Sequence, residues 1–309
     1  MKNTDFDLVI IGGGPAGLTA GLYAARARMN AVMIEKVVPG GQVLTTDWIE
    51  NYPGFPEGLS GGDLVVKLTE QVKRFNLNIE NGNVVSLDFS GDIKKIELSD
   101  RTVTTKAVII ATGASPRKLG VPGEERFIGK GVSFCGTCDA PFFKDRVVAA
   151  VGGGDTAVQE SLYLTKFAKK VYLIHRRDEL RATKILQERA FANDKIEFVW
   201  DSVITDIEGG LMSVEKVAVK NVKTDETKKL DVDGCFVWVG INPNTAFVKG
   251  AVKVDESGFI ITDASMETSV QGVFAIGDVR NTPLRQIVTA AGDGAIASFS
   301  AEHYIENIG

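Results

Sequence analysis

The chain has 309 residues, of which 44% are hydrophobic and 24% are charged, and its formal net charge is −5. This length allows two domains of ordinary size, and the acidic balance gives no basic surface for nucleic acid. No apolar run approaches the roughly 18 residues of a membrane span, and the acidic N-terminus is unlike a signal peptide. Three cysteines, an odd number, are not the disulfide framework of a secreted domain, so we expect a cytoplasmic protein.

The first predicted elements are a buried strand over residues 7–11, a glycine turn and a small-residue helix over residues 18–28. Strand, G-x-G-x-x-G and helix in this order form the dinucleotide-binding motif. Gly12 allows the tight turn, Gly14 lets the backbone approach a pyrophosphate, and Gly17 lets the helix pack closely on the strand. An ordinary glycine turn is the alternative interpretation.

Glu35 follows the second predicted strand, residues 31–34. An acid at this position can accept hydrogen bonds from both hydroxyl groups of an adenosine ribose, and it would repel a 2′-phosphate. The first motif therefore predicts a site for a dinucleotide whose 2′-hydroxyl is free.

The next part of the chain is less regular. Residues 39–55 form a long irregular segment whose length favours a functional role, and residues 64–75 repeat apolar side chains at helical spacing. Residues 77–106 alternate enough to predict a β-meander. A buried strand over residues 107–111 then ends in a Thr-Gly pair, and prolines beyond it mark a linker out of the first lobe.

Two cysteines three residues apart, Cys135 and Cys138, are followed at once by Asp139. Such a pair can close a small disulfide ring that exchanges with other dithiols. A zinc site would need further ligands at matching spacing. The candidates for those ligands are scattered singly: Cys235, His175 and His303. Two buried inert thiols are the other alternative, and the polar, turn-prone residues around the pair argue against them.

A second motif echoes the first after the cysteine pair. A strand over residues 146–151 leads into a glycine loop, whose candidate nucleotide-binding residues are Gly152, Gly154, Asp155 and Thr156. His175 lies as far from Gly152 as Glu35 lies from Gly12, and Arg176, Arg177 and Arg181 follow it. Because guanidinium groups bind a 2′-phosphate through charge-assisted bonds, this site predicts NADPH. A solvated charged face is the alternative for the three arginines.

The last third of the chain carries fewer signals. Residues 196–239 read as short strands that complete the second lobe, and Cys235 fits a small core residue there. Residues 240–244 form a plausible return linker. Another predicted strand ends in Gly277 and Asp278, and a final helix runs to about residue 307.

Taken in this order, the motifs resemble the low-molecular-weight, prokaryotic-type thioredoxin reductases over essentially the whole chain. The motifs that carry the resemblance are residues 12–17, 40–42, 50–54, 111–114, 135–139, 152–157, 175–182, 277–278 and 285–286. Three places depart from the pattern, one of them the pair Gln159 and Glu160, where relatives often carry two acids. Gly136 stands where many relatives carry Ala, and Thr156 where relatives often carry Ser.

The resemblance implies an α/β fold of two Rossmann-like, three-layer dinucleotide-binding domains, one inserted in the other. A FAD-binding domain would comprise residues 1–116 and 244–309, and an NADPH-binding domain with the dithiol residues 117–243. It also implies a homodimer with one FAD per chain, thioredoxin as partner, and no metal, nucleic acid or membrane.

By resemblance, Asp278 should lie near the FAD pyrophosphate and ribityl chain. The residues expected around FAD are Gly12, Gly14, Pro15, Ala16, Gly17, Glu35, Gly41, Gln42, Asn51, Ala111, Thr112, Gly113, Gly277, Asp278, Arg285 and Gln286. Gln42, Asn51, Arg285 and Gln286 should be the ones beside the flavin.

The resemblance further implies that Cys138 lies nearest the isoalloxazine, that Cys135 attacks the partner's disulfide, and that Asp139 manages thiol protons. A turn or capping role is the alternative for Asp139. Other acceptors, such as another redoxin or a peroxiredoxin system, would use the same chemistry. A non-catalytic NADPH-binding redox sensor is the alternative of a different class, and it would need no FAD site.

Overall fold

The chain crosses twice between two units. The computed structural model describes residues 4–46, 48–211, 213–248 and 250–308. Unit 1 ends at Ser115 and resumes at Asn242, and unit 2 runs from Pro116 to Ile241. The expected domain ends at residues 1 and 309, and residue 47 of the irregular segment, lie outside the described residues. Which nucleotide each unit binds stays a prediction.

The elements follow the chain through both units. Unit 1 begins with β1 (Phe6–Ile11), α1 (Pro15–Arg26), β2 (Ala31–Glu35), α2 (Gly61–Lys73), β3 (Asn78–Asn81), β4 (Val84–Asp88), β5 (Lys94–Leu98), β6 (Thr102–Ile110) and β7 (Ala114–Pro116). Unit 2 contains α3 (Glu124–Phe127), β8 (Val132–Ser133), α4 (Gly136–Asp139), β9 (Val147–Val151), α5 (Asp155–Leu164), β10 (Lys170–Ile174), α6 (Lys184–Phe191), β11 (Ile196–Val199), β12 (Ser202–Gly209), β13 (Val214–Asn221), β14 (Thr227–Asp231) and β15 (Gly234–Val237). The chain returns to unit 1 through β16 (Ile241–Pro243), β17 (Val273–Ala275) and α7 (Ile287–Ile308). Short 3-10 helices lie at Gly41–Thr45, Ala140–Phe143, Ala246–Val248 and Gly277–Val279.

The main sheet of unit 1 has the strand order β3-β2-β1-β6-β5-β4, with β17 also paired to β6. β1 lies inside this sheet because its last four residues are apolar and buried. It pairs in parallel with β2 and β6, which places Ile10 opposite both Met33 and Ile109. The carboxyl ends of β1 and β2 are therefore neighbours, and the first glycine turn and Glu35 meet there.

The β-meander predicted over residues 77–106 is only partly right. β4, β5 and β6 pair in antiparallel fashion, but β3 pairs in parallel with β2 at the other edge of the sheet. Ile79 of β3 lies opposite Met33. Alternation of side chains predicts that a segment is a strand, but the partner of that strand is decided by contacts distant in sequence.

The last helix packs in unit 1 because small residues let it approach α1 closely. α7 buries Ala290, Gly294, Ala297 and Ala301, which recur at helical spacing. A Cβ on Gly294 would lie 2.4 Å from the carbonyl oxygen of Ala16, so the two helix backbones are in contact. This contact fixes the C-terminal segment beside the first glycine turn.

Unit 2 has its own parallel sheet, with the strand order β11-β10-β9-β15-β8. β12, β13 and β14 form a separate antiparallel sheet. Cys235 lies in β15 inside the core, as expected, and burial raises the pKa of its thiol to about 12. In each unit a parallel strand enters a helix through a glycine turn, which confirms the α/β class with two Rossmann-like domains.

The crossings between the units fall within β7 and β16, which pair with each other as a two-stranded ribbon. Within the described ranges, no helix has both the length and the apolar character needed to cross a membrane.

Candidate active site

The two neighbouring cysteines form a disulfide at the start of α4, with their Cα atoms 5.4 Å apart. Cys135 is the N-cap residue, and its Sγ accepts a hydrogen bond from the backbone N–H of Cys138 at 3.1 Å. Cys138 is exposed and Cys135 is half-buried. The exposure of Cys138 argues against the alternative of two buried, inert thiols. In the part of the chain that the structure describes, no group of three or more potential metal ligands is found.

Two side chains hold the loop that leads into the disulfide. The Ser133 hydroxyl accepts a hydrogen bond from the Cys135 N–H at 3.0 Å and donates to the Cys135 carbonyl at 3.1 Å. The indole N–H of Trp238 donates to the Phe134 carbonyl at 3.1 Å. The position of the dithiol is therefore fixed by β8 on one side and by the residue after β15 on the other.

Asp139 ends α4 and stands at the N-cap position of the 3-10 helix Ala140–Phe143, but its side chain makes no capping hydrogen bond. Its backbone N–H donates to the Cys135 carbonyl at 3.3 Å. Capping therefore does not account for the carboxylate, which is half-buried one residue beyond the disulfide.

Two of the glycines in the first turn are required for space. A Cβ on Gly12 would lie 2.4 Å from the carbonyl oxygen of Ala111, and a Cβ on Gly17 would lie 1.9 Å from that of Gly12. The turn is also bonded to β2, because the Gly12 N–H donates to the Ile34 carbonyl at 2.9 Å. These contacts lock the start of α1 onto the sheet.

Gly14 is required for a different reason. No atom lies within 4 Å of the position that its Cβ would occupy, so open space faces this backbone. Pro15 and Ala16 open α1, and no side chain caps its N-terminus. Uncapped N–H groups beside open space are what a pyrophosphate needs.

Glu35 is tied to the same turn. Its Oε2 accepts a hydrogen bond from the Gly13 N–H at 2.7 Å, and its Oε1 accepts one from the Val37 N–H at 3.0 Å. Each carboxylate oxygen keeps a second lone pair, so the group can still accept from ribose hydroxyls.

The irregular segment returns to the first glycine turn, a contact that the sequence pattern did not predict. The Gly40 N–H donates to the Gly13 carbonyl at 2.7 Å, and the would-be Cβ of Gly41 lies 3.5 Å from the Gly14 Cα. Gln42 donates from its side-chain amide to the Ala114 carbonyl. The structure therefore brings Gly41 and Gln42 to the same edge of the sheet as the glycine turn.

Three more expected residues are joined to the C-terminal part of unit 1. The Asn51 side-chain amide donates to the Gln286 Oε1 at 2.9 Å. The Thr112 hydroxyl donates to the Asn244 carbonyl at 2.9 Å, and the Asn244 N–H donates to the Gly113 carbonyl at 3.0 Å. Open space also faces Gly113, whose φ is +64.

Asp278 and Arg285 complete the group of expected residues in unit 1. Burial raises the pKa of the Asp278 carboxyl above its ordinary value, while the Arg285 guanidinium partly offsets this and Asp293 adds to it. The Nε of Arg285 is buried and has no hydrogen-bond partner among the described residues. Gly277 lies against Ala16, its would-be Cβ 3.1 Å from the Ala16 Cβ.

These observations fit a flavin dinucleotide. Uncapped N–H groups, open space over two glycines and a buried Arg285 Nε leave polar groups that a bound molecule would satisfy.

The glycine loop of unit 2 repeats several contacts of the first loop. The Gly152 N–H donates to the Ile174 carbonyl at 3.1 Å, and the Arg181 N–H donates to the Gly153 carbonyl at 2.7 Å. Gly154 again faces open space, and no side chain caps the N-terminus of α5. This loop fits a second dinucleotide for the same reasons as the first.

The side chains of this second loop are held in different ways. The Asp155 Oδ1 accepts a hydrogen bond from the Thr183 N–H at 2.6 Å, and Thr156 is exposed in the first turn of α5. A Cβ on Gly153 would lie 2.3 Å from the His175 ring, just as one on Gly13 would meet Glu35. His175 therefore occupies the structural position of Glu35.

The charges at this position differ from those in unit 1. Burial lowers the pKa of His175 below its ordinary value, and the Arg181 guanidinium lowers it further, so the ring is neutral at pH 7. A phosphate would have to be bound by the exposed side chains of Arg176, Arg177 and Arg181. The described residues offer these three guanidinium groups no ion pair.

Some residues of the site escaped the sequence analysis. Asn244 was read only as a linker residue, although its side-chain amide also donates to the Thr112 carbonyl at 2.8 Å. Asp293 accepts from the Gly277 N–H at 3.1 Å and from Arg280 at 3.2 Å. The available signal for Asp293 was that it is an acid within the small, apolar residues of α7.

A model of the pyridine nucleotide-disulphide oxidoreductase family matches residues 6–294. The chain belongs to this family. Membership implies the use of a flavin and a nicotinamide dinucleotide, in keeping with two glycine loops and a disulfide in one chain.

Individual relatives confirm the more specific resemblance. Thioredoxin reductase from Peptoclostridium acidaminophilum is 48% identical over 312 residues, which cover 99% of this chain and 98% of the relative. Thioredoxin reductase from Peptoclostridium litorale is 47% identical, covering 100% of this chain and 99% of the relative. A crystal structure of Lactococcus lactis thioredoxin reductase superposes with a TM-score of 0.96 at 46% identity, covering 98% of this chain and 99% of that one.

Substitution of two glycines by alanine should separate folding from cofactor binding. In Gly17→Ala the methyl group meets the Gly12 carbonyl, so we expect a loss of about 1–3 kcal/mol in the free energy of unfolding. In Gly14→Ala the methyl group enters open space at an ordinary φ of −69, so stability should stay within about 0.5 kcal/mol. FAD retention should nevertheless fall, because the methyl occupies the space beside the uncapped N–H groups.

Urea unfolding of the apoprotein and the flavin absorbance of the purified protein measure the two effects. Undiminished FAD binding by Gly14→Ala would contradict this account of the turn.

Proposed function

We propose that the protein is a thioredoxin-disulfide reductase that passes electrons from NADPH through FAD and the Cys135–Cys138 disulfide to oxidised thioredoxin. The observation that carries the proposal is an accessible disulfide in α4, in the same unit as the second glycine loop. Full-length relatives named thioredoxin reductase support this choice of substrate.

Unit 1 is proposed to bind FAD and unit 2 NADPH. The chemistry that the bound nucleotides supply is two-electron transfer, as hydride from the nicotinamide and onward from the flavin to a disulfide. Glu35 supports the assignment in unit 1, because a carboxylate suits a free 2′-hydroxyl. Arg176, Arg177 and Arg181 support the assignment in unit 2, because three exposed guanidinium groups with no ion pair among the described residues suit a 2′-phosphate.

The two cysteines are proposed to have separate roles. Once the disulfide is reduced, the Cys135 thiolate attacks one sulfur of the thioredoxin disulfide, forms a mixed disulfide, and releases the other thioredoxin sulfur as a thiolate. Cys138 then attacks the Cys135 sulfur, restores the Cys135–Cys138 disulfide and releases the second thioredoxin thiolate. Both released thiolates take up protons, so reduced thioredoxin leaves as a dithiol.

Asp139 is proposed to carry a proton to and from these sulfurs. It lies one residue from Cys138, is half-buried, and is not engaged in capping. A carboxylate next to the dithiol can accept the proton that a thiol loses when it becomes a thiolate. It can return the proton when the thiolate becomes a thiol again.

A large exposed side chain lies near the dithiol in the chain, and it favours a protein as substrate over a small molecule. Phe142 is 75% exposed and lies in the 3-10 helix that directly follows Asp139. An aromatic side chain so exposed beside a reactive group favours docking of another protein.

We also propose a homodimer. Val288, Ile296 and Phe299 of α7 are exposed and recur at a spacing that places them on one face, with the open backbone of Gly292 between them. Sedimentation equilibrium should give twice the chain mass for the parent. A parent that sediments as a monomer at micromolar concentration would rule the dimer out.

A cytoplasmic location is proposed with this function, because thioredoxin keeps thiols reduced in that compartment.

The function is tested by the oxidation of NADPH by the FAD-loaded protein, with and without thioredoxin. Turnover should require thioredoxin and be much slower with NADH. In Cys135→Ser it should fall by about a thousandfold, while NADPH still reduces the flavin. Cys235→Ala is the matched control, since that thiol is buried in the core and should leave turnover unchanged.

Thioredoxin turnover that survives in Cys135→Ser would overturn the proposed path. Reduction of the flavin in the parent without any thioredoxin turnover would keep the electron input but assign a different redoxin as acceptor. If NADPH fails to reduce the flavin, NADPH is not the electron donor, and that part of the proposed path is overturned too.

A further inference from the structure

The residue between the cysteines that departs from the family pattern, Gly136, lies against the side chain of Glu160. Gly136 is buried and lies in α4, without the positive φ that would demand glycine. A Cβ at this position would lie 2.2 Å from Oε2 of Glu160 and 3.4 Å from a ring carbon of Trp238. The carboxyl group of Glu160 therefore occupies the place that an alanine methyl would take, directly against the backbone of the disulfide ring.

Glu160 is held there by a rigid element. It lies in the second turn of α5, whose neighbouring residues Ala157, Val158 and Ser161 are buried in the core of unit 2. The Ser161 hydroxyl donates to the Ala157 carbonyl at 2.6 Å, inside the helix. The Oε2 atom of Glu160 is shielded from solvent. A carboxyl group in such a position acts on nearby sulfurs through a medium of lower dielectric than water.

Few other charges face the dithiol from the elements packed around it. α4 contributes Asp139, and α5 contributes Asp155 and Glu160, while the 3-10 helix Ala140–Phe143 has no charged residue. Asp155 is engaged at the start of α5 by the Thr183 N–H. Among the described residues of these three elements, Asp139 is next to Cys138 in the chain and Glu160 lies against the residue that follows Cys135.

We propose that Glu160 is a positioning residue that keeps the reduced dithiol protonated, and that Gly136 is its structural counterpart. This inference rests on the proposed function, which supplies the reductant. Reduction of the disulfide takes two electrons and two protons and gives two thiols. A carboxylate beside the ring opposes negative charge on sulfur, so it favours the thiol over the thiolate. Because stabilised thiolates make a disulfide more oxidising, Glu160 also keeps the pair a good donor to thioredoxin.

The test measures the acidity of the thiols in the FAD-loaded protein. The disulfide is reduced with dithiothreitol, the reagent is removed without oxygen, and the iodoacetamide reaction of each cysteine is followed against pH by mass spectrometry. Glu160→Gln keeps the shape of the side chain and should lower the first thiol pKa by about one unit. Below that pKa the reaction should be about tenfold faster than in the parent.

Gly136→Ala should shift the titration in the same direction, because its methyl group displaces the carboxyl group. The double variant should shift it no further, since both changes remove one interaction. Glu188→Gln, an exposed residue of α6, is the matched control for the loss of one negative charge. Cys235 serves as the internal reference, because a buried thiol with a pKa of about 12 should not react.

An unchanged or raised thiol pKa in Glu160→Gln, with normal FAD content, would overturn the proposal. The experiment uses neither NADPH nor thioredoxin, so its outcome is separate from that of the proposed function. A protein with the expected thiol shift but no thioredoxin turnover would keep the role of Glu160 and change only the acceptor.

Discussion

The close approach of a helix to the glycine turn before it is the constraint on which both proposed nucleotide sites depend. In unit 1 a Cβ on Gly17 would lie 1.9 Å from the Gly12 carbonyl oxygen. In unit 2 Ala157 stands at the matching place in the helix, and a Cβ on Gly152 would lie 2.6 Å from the Ala157 Cβ. Only this approach aims the free N–H groups of α1 and α5 at open space beyond the strand ends. The residues that would recognise each nucleotide are then placed by the neighbouring strands.

The two loops share a backbone and differ in the chemistry of one position. Glu35 and His175 both lie against the second glycine of their loop, at the end of the adjacent parallel strand. In unit 1 this position carries a carboxylate bonded to the Gly13 N–H. In unit 2 the same position carries an imidazole that burial keeps neutral. The arginines that follow it in the chain carry positive charge. The two loops therefore share a backbone but present opposite charges, a carboxylate in unit 1 and guanidinium groups in unit 2.

The sequence predicted those parts of the protein that depend only on residues close together in the chain. The strand, glycine turn and helix of each unit follow from short-range pattern, and so do the cysteine pair and the buried Cys235. It was insufficient where the partner lies elsewhere in the chain. The pairing of β3 with β2, the Asn244 contact with Thr112 and the seat of Glu160 beside Gly136 all depend on tertiary packing. Gly136 shows the difference, because the sequence marks it only as a departure from the family pattern, whereas the structure has the Glu160 carboxyl group where an alanine methyl would lie.

The central claim is that Cys135 passes electrons to thioredoxin and that Cys138 resolves the product. It is tested most directly by trapping the mixed disulfide. Cys138→Ser would be mixed with a thioredoxin that keeps only its attacked cysteine, activated as a disulfide with thionitrobenzoate, and the products mapped by mass spectrometry. The account predicts a one-to-one covalent complex through Cys135, with Cys135→Ser forming little. A complex through Cys138 in Cys135→Ser, with none in Cys138→Ser, would contradict it.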